Sequence, residues 1–316
     1  VKEITSKVDG SNLADLEVPQ EILETAHNRI TSDLKTALFT AADRVRKFHE
    51  LSMPKNWENE DEGYGQIYTA VNRVGAYVPG GTALYPSTVL MSVIPAKVAG
   101  AEEVIMCTPT KGNLMPNDAV LAAAKISGVD RIFRIGGAQA IAAMAYGTET
   151  IPKVDTICGP GNIFVTLAKK LLYGQVGIDG LEGPTETLII ADENANPAFC
   201  ASDLLGQAEH DILATPVLIT TDENLVSKVQ HELDIQLAGM KKRDTISLSL
   251  DTRAVIVIVD KLTDAIEIAN IYAPEHLCLM VSEPRDLVCN IKNAGGIFLG
   301  SNSPEVMGDY VAGPSH

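Results

Sequence analysis

Large rings are scarce in this chain of 316 residues: aromatics make up 5%, with one tryptophan. A core built without them falls to Ala, Val, Ile and Leu, the residues of parallel sheets covered by helices. Cations are few as well. Twenty-five Lys and Arg against 41 Asp and Glu leave a net charge of −16, which argues against nucleic acid or an anionic membrane as a main partner, since each needs a basic patch. No apolar run reaches the roughly 18 residues of a membrane span, and residues 1–7 lack the pattern of a signal peptide. The five cysteines (Cys107, Cys158, Cys200, Cys278 and Cys289) are an odd number with no CxxC pair. Four lie in apolar runs, which points to buried free thiols, a cytoplasmic location and no cysteine-based zinc site.

What is present is a soluble globular composition, 46% hydrophobic and 21% charged, long enough for two ordinary domains. Residues 18–48 carry Ile22, Leu23, Ala26, Ile30, Leu34 and Leu38 at helical spacing behind Pro19, so the amino-terminal segment 1–65 reads as helical. It is expected to pack on the second lobe, with 54–64 as a polar surface loop. From residue 67 strand and helix patterns alternate. Strand-like runs at 76–78, 103–107, 131–135 and 156–158 enclose helical patterns at 87–99, 118–126, 138–145 and 163–173. A second series has strands at 188–190, 217–220, 254–259, 277–281 and 296–299, with helices at 197–209, 224–238, 263–271 and 284–293. Such alternation predicts an α/β fold of two similar lobes with mostly parallel sheets, 66–186 and 187–316. Ligands in these folds sit at the carboxyl ends of strands, where the informative residues are expected to fall.

Glycine-rich turns follow strands at Tyr77-Val-Pro-Gly-Gly81, Gly136-Gly-Ala-Gln139 and Gly159-Pro-Gly-Asn162. Each precedes a helix whose free N–H groups suit a phosphate. None is GxGxxG with an acidic residue about 20 positions on, so nucleotide binding and ordinary tight turns stay equally open. Gln207 and His210, at i and i+3, share a helix face and could share a metal; a histidine capping the helix end explains the spacing at least as well. Glu275-His276 offers an acid/base pair or a solvated loop pair. Asp309 and His316 lie in a loop of small residues and are common zinc donors. His27, His49 and His231 sit in polar helical contexts and read as surface residues.

Together with Gly183-Pro-Thr185-Glu186, Pro274-Glu275-His276-Leu277 and Gly308-Asp309-Tyr310 followed by Gly313-Pro-Ser-His316, these motifs resemble the histidinol dehydrogenase family, in the family's order and from about residue 15 to the end. The resemblance implies an incomplete Rossmann-like nucleotide lobe in which Tyr77, Gln139 and Asn162 contact NAD. It implies zinc on Gln207, His210 and Asp309, orienting the substrate amine and imidazole. Glu275 and His276 become the acid/base pair, and Thr185, Gln207, His210, His276, Asp309 and His316 the substrate contacts. The implied reaction is the four-electron oxidation of L-histidinol through L-histidinaldehyde to L-histidine, the last step of histidine biosynthesis, with two NAD in succession.

Two departures stand out. Threonine at 185 replaces the family's usual serine and keeps the hydroxyl. The family's pattern also continues past His316 with a further glutamate and a last zinc-binding histidine, in a tail that reaches the neighbouring subunit of an intertwined homodimer. The resemblance therefore implies at most three zinc ligands from this chain. Two other readings compete: a relative oxidising another small alcohol, such as a sulfonated diol, on the same zinc and NAD scaffold, and an inactive paralogue without the tail.

Overall fold

The computed structural model describes all residues except 11, 81–83, 113, 315 and 316, and leaves the side chains of Asp309 and Val311 aside. Two compact units form. The first takes in Val1–Glu182 and returns for the segment that begins at Asp309; the second is Gly183–Gly308.

The first unit opens with α1 (Lys2–Asp9), α2 (Gln20–Thr25) and α3 (Ser32–Ser52). The Thr31 side chain caps α3 by accepting from Leu34 N at 3.3 Å, which satisfies one of the orphan amides of the first turn. The buried residues of α3, Leu38, Ala42 and Val45, recur at helical spacing and enter a core shared with Val89, Val93 and Leu121. Expected against the second lobe, this segment instead spends its apolar stripe on the first. The polar stretch at 54–64, expected as a loop, contains a hairpin of β1 (Trp57–Asn59) and β2 (Tyr64–Gln66) in antiparallel register. Trp57 and Tyr64 meet edge-to-face across it, with centroids 6.0 Å apart.

The first sheet follows as β3 (Arg73–Tyr77), β4 (Glu103–Cys107), β5 (Arg131–Phe133), β6 (Thr156–Cys158) and β7 (Gly177–Ile178). Its helices are α4 (Pro86–Val98), α5 (Asp118–Ser127), α6 (Gly137–Tyr146) and α7 (Ile163–Leu172). All strands are parallel in the order β5-β4-β3-β6-β7. In the second unit β8 (Glu186–Ala191), β9 (Thr215–Thr220), β10 (Val255–Ile258), β11 (His276–Met280) and β12 (Gly296–Leu299) repeat that topology as β10-β9-β8-β11-β12, again all parallel. The repeated order, with its reversal beside the first strand, accounts for the two similar lobes. The unit boundary falls at 182/183 rather than after 186, because Glu186 already belongs to β8.

The second unit's helices are α8 (Pro197–Ala208), α9 (Glu223–Leu237), α10 (Arg243–Arg253), α11 (Leu262–Tyr272) and α12 (Pro284–Val288). Asn196 caps α8 with Pro197 at its first position, a strong helix start. Its buried face carries Cys200, Leu204 and Asp203. All five cysteines are free thiols, with Cys107, Cys200 and Cys278 buried, Cys158 half-buried and Cys289 exposed.

Asp203 is a carboxyl in an apolar setting: it is 8% exposed, its Oδ2 has no hydrogen-bond partner among the described residues, and burial lifts its pKa to about 6 while a bond with Cys278 pulls the other way. The folded state thus holds a proton that the unfolded chain releases near 4. Stability falls as pH rises from about 4 through 6, and the cost above that is on the order of 3 kcal/mol. Asp203→Asn is expected to unfold at higher urea than the parent at pH 7.5 and at nearly the same urea at pH 4. A pH-independent difference would refute the assignment.

Candidate functional site

At the carboxyl end of the first sheet lies a cavity of about 730 Å³, lined by Tyr77, Gly80, Lys111, Gly137, Gln139 and Asn162 among others. Tyr77, Gln139 and Asn162, chosen from three separate turns, therefore share one space. Each is already held. The buried Tyr77 hydroxyl accepts from Gly137 N at 3.0 Å, and burial raises its pKa. Gln139 Nε2 donates to Asp9 Oδ2 of α1 at 3.2 Å; burial also raises the Asp9 carboxyl, with Gln139 opposing. Asn162 Oδ1 caps α7, accepting from Phe164 N at 3.0 Å and Val165 N at 3.2 Å.

Glycine at 159 follows from geometry: φ is +108° and an added Cβ would lie 2.0 Å from the Tyr77 carbonyl oxygen, a position closed to other residues. This loop is clamped by a residue with no distinctive sequence signal. Lys169, 1% exposed, donates to Gly159 O at 3.1 Å and Glu182 Oε2 at 3.2 Å and pairs with Asp179 Oδ1 at 2.5 Å. Asp179 Oδ2 in turn accepts from Gly159 N at 2.6 Å. The cavity suits a dinucleotide in size, in the start of α6, where Gly136 supplies no side-chain cap, and in Lys111 on its wall, features that receive phosphate.

In the second unit the site residues lie at the amino ends of the strands, contrary to expectation. α11 closes on Ala273 in the left-handed region (φ 56°), Pro274 follows, and His276 is the first residue of β11. At the carboxyl ends, Asp192 Oδ2 accepts from Ser282 N at 2.7 Å and from its hydroxyl at 2.8 Å, joining the loops after β8 and β11.

At the amino ends one polar network gathers. Thr185 Oγ1 donates to Glu275 Oε2 at 2.6 Å, and Glu186 N donates to the same oxygen at 3.2 Å. Gln207, fully buried on the last turn of α8, has its amide oriented by its neighbours. Its nitrogen donates to Glu305 Oε1 at 3.0 Å and Oε2 at 3.1 Å, while its oxygen lies 2.8 Å from Thr185 Oγ1, whose single proton goes to Glu275. His276, 6% exposed, places Nδ1 3.3 Å from both the Gln207 amide and Glu305 Oε2. The Thr187 hydroxyl bonds to Gln207 and Glu305. Thr187 and Glu305 went unnoticed in the sequence, the first inside an apolar strand and the second alone in a loop.

His210 is exposed just past α8, with its N–H donating to Gln207 O at 3.2 Å. Amide oxygen and imidazole on one turn are donors that zinc accepts. Among the described residues no group of three His, Cys, Asp or Glu side chains is gathered; Gln207 and His210 share this turn, the first buried and the second exposed. The Asp309 side chain and His316 lie outside what is described. His27 and His49 are half-buried rather than surface residues, and His49 bonds with the backbone of Pro314. No helix among the described residues is long and apolar enough to cross a membrane.

A sequence profile for histidinol dehydrogenase matches residues 1–316. The histidinol dehydrogenase of Dehalococcoides mccartyi strain CBDB1 is 50% identical over 313 residues, 99% of this chain and 72% of its own length. That of Clostridium acetobutylicum is 47% identical over 317 residues, 99% of this chain and 74% of its own. The crystal structure of histidinol dehydrogenase from Elizabethkingia anophelis matches with a TM-score of 0.95 at 37% identity, over 99% of this chain and 73% of that one. A putative methylmalonate-semialdehyde dehydrogenase from Sinorhizobium meliloti 1021, complexed with NAD, reaches a TM-score of 0.55 at 14% identity over 90% of this chain and 73% of that one, a likeness of fold alone.

Proposed function

The chain belongs to the histidinol dehydrogenase family, and we propose that it oxidises L-histidinol through L-histidinaldehyde to L-histidine. The observation that carries this reading is the network at the amino ends of β8 and β11, where Thr185, Glu275, Gln207 and His276 meet within hydrogen-bonding reach. When bound, two NAD in succession take up the four electrons, and zinc orients the substrate.

Tyr77, Gln139, Asn162 and the start of α6 would hold the dinucleotide. Gln207 and His210 would hold zinc, and Asp309 joins them on the family motif alone. Thr185 and His316 are assigned to substrate on the same ground. His276 takes the alcohol proton in the first half-reaction; an imidazole is suited to this near neutral pH. Glu275 then draws a proton from the water that attacks the aldehyde, with Thr185 fixing its carboxylate, and His276 takes the hydroxyl proton of the hydrate. A cytoplasmic homodimer is proposed with this activity.

NADH formation measured by absorbance with L-histidinol and zinc is expected to reach two NADH per substrate. Glu275→Gln is expected to slow the aldehyde half-reaction about 100-fold, the lower range for acid–base catalysis, so that NADH falls toward one per substrate and the aldehyde accumulates. Equal slowing of both halves would remove Glu275 from water activation. Retained zinc with no NADH formed by the parent would reject L-histidinol as the substrate.

A further inference from the structure

A buried carboxylate is expensive unless its lone pairs are used. Glu305 is 3% exposed, on the chain that leaves β12 and turns back, with Ser303 N donating to Gly300 O and Gly308 N to Glu305 O at 2.8 Å. Its two oxygens face the Gln207 amide nitrogen, the Thr187 hydroxyl and His276 Nδ1. Every one of these groups is itself buried. Glu305 thus sits among side chains to which the proposed function gives the acid/base step and zinc, His276 and Gln207, and is assigned no contact with substrate itself.

We propose that Glu305 is the positioning residue of the site: it accepts the Nδ1 proton of His276, holding the ring in the tautomer that leaves Nε2 unprotonated, and fixes the Gln207 amide with its oxygen turned toward Thr185. The chemistry is local. An imidazole has two nitrogens, and which one bears the proton follows from the bond the other nitrogen makes. With Glu305 Oε2 at 3.3 Å from Nδ1, the proton belongs on Nδ1 and the base is Nε2. The Gln207 nitrogen also points at Nδ1, 3.3 Å away; it donates to both Glu305 oxygens at shorter range, so it serves the carboxylate and leaves the ring its partner. The side chain of Thr187 closes the third approach to the same carboxylate. No electron or proton passes to Glu305 in this scheme.

The inference rests on the reading of His276 as the base, and the test separates the two. In the zinc-loaded enzyme, Glu305→Gln offers an amide that can donate to Nδ1 and so favour the wrong tautomer, as in the serine-protease triad, where the equivalent change costs about 10⁴ in kcat. Here kcat is expected to fall at least about 100-fold with KM within about threefold, since Glu305 is assigned no contact with substrate. Glu305→Asp, which restores the charge, should recover at least about tenfold of the loss if charge fixes the tautomer. A second readout needs neither zinc nor turnover: ¹⁵N spectra of the parent, with His276 assigned through His276→Asn, should show the proton on Nδ1. A proton on Nε2, a kcat within about threefold of the parent in Glu305→Gln, or a KM rising in step with the loss would each overturn the role. A parent that binds zinc yet does not oxidise L-histidinol would instead defeat the substrate reading and leave the tautomer result to decide the role of Glu305.

Discussion

His276→Asn is expected to lower kcat about 10³-fold or more with L-histidinol while substrate affinity stays within about threefold, a loss of roughly 4 kcal/mol in transition-state stabilisation. The reasoning starts from the buried ring. Asparagine roughly matches the histidine out to Nδ1, so its amide can still donate to Glu305 Oε2, which lies 3.3 Å from that nitrogen. The network with Gln207 and Thr187 keeps its donors and acceptors, and no charge is left without a partner. What disappears is Nε2, the one atom of the side chain able to take the alcohol proton. Steady-state kinetics and calorimetric binding of L-histidinol check the two halves of the claim. Unchanged turnover would take His276 out of the chemistry. Lost affinity equal to lost turnover would make it a binding group only.

Much of this arrangement was legible in the sequence where burial leaves a pattern. The strands Glu103–Cys107 and Thr156–Cys158 coincide with their predicted ranges because both are apolar runs between turns, which burial on two faces requires. α10 escaped for the opposite reason. Ile246, Leu248 and Leu250 alternate like a strand, yet the segment is helical with only Ile246 and Ser249 buried, and the Ser249 hydroxyl donates to Ala214 O at 2.9 Å. The β1–β2 hairpin is almost wholly exposed, so hydrophobic periodicity had nothing to report. The Glu275-His276 pair was picked out by motif and read between a helix and a strand, and Ala273 in the left-handed region and Pro274 do deliver it to the start of β11; what failed is the general expectation that such residues gather at the carboxyl ends of strands. Glu305 could not be read at all. Its meaning comes from a chain reversal that brings a loop carboxylate under a strand distant in sequence.

The same limit applies to Lys169, which reads as a basic residue near a helix end and is in fact the buried centre of a clamp. Asp179→Ala is expected to destabilise the protein by about 3–5 kcal/mol, the cost of stripping a partner from a buried ion pair. At about 2–4 °C per kcal/mol for a domain of this size, the melting temperature should drop by roughly 10 °C. The ammonium, 1% exposed, would keep only Glu182 Oε2 at 3.2 Å and the Gly159 carbonyl, and Gly159 N would lose its carboxylate acceptor. Lys169→Met should cost less. It removes the buried charge itself, leaves Asp179 bonded to Gly159 N, and strands two carboxylates that are 33% and 43% exposed and can take up water. The order of the two losses decides the argument, and urea unfolding of both variants measures it. If Lys169→Met proves the more damaging, the ammonium is a net source of stability rather than a charge that must be compensated. A second consequence reaches the cavity. Gly159 fixes the turn that carries Asn162, so Asp179→Ala should also weaken NAD binding by calorimetry, whereas Asp203→Asn, remote from this loop in sequence and in a different unit, should leave that affinity unchanged.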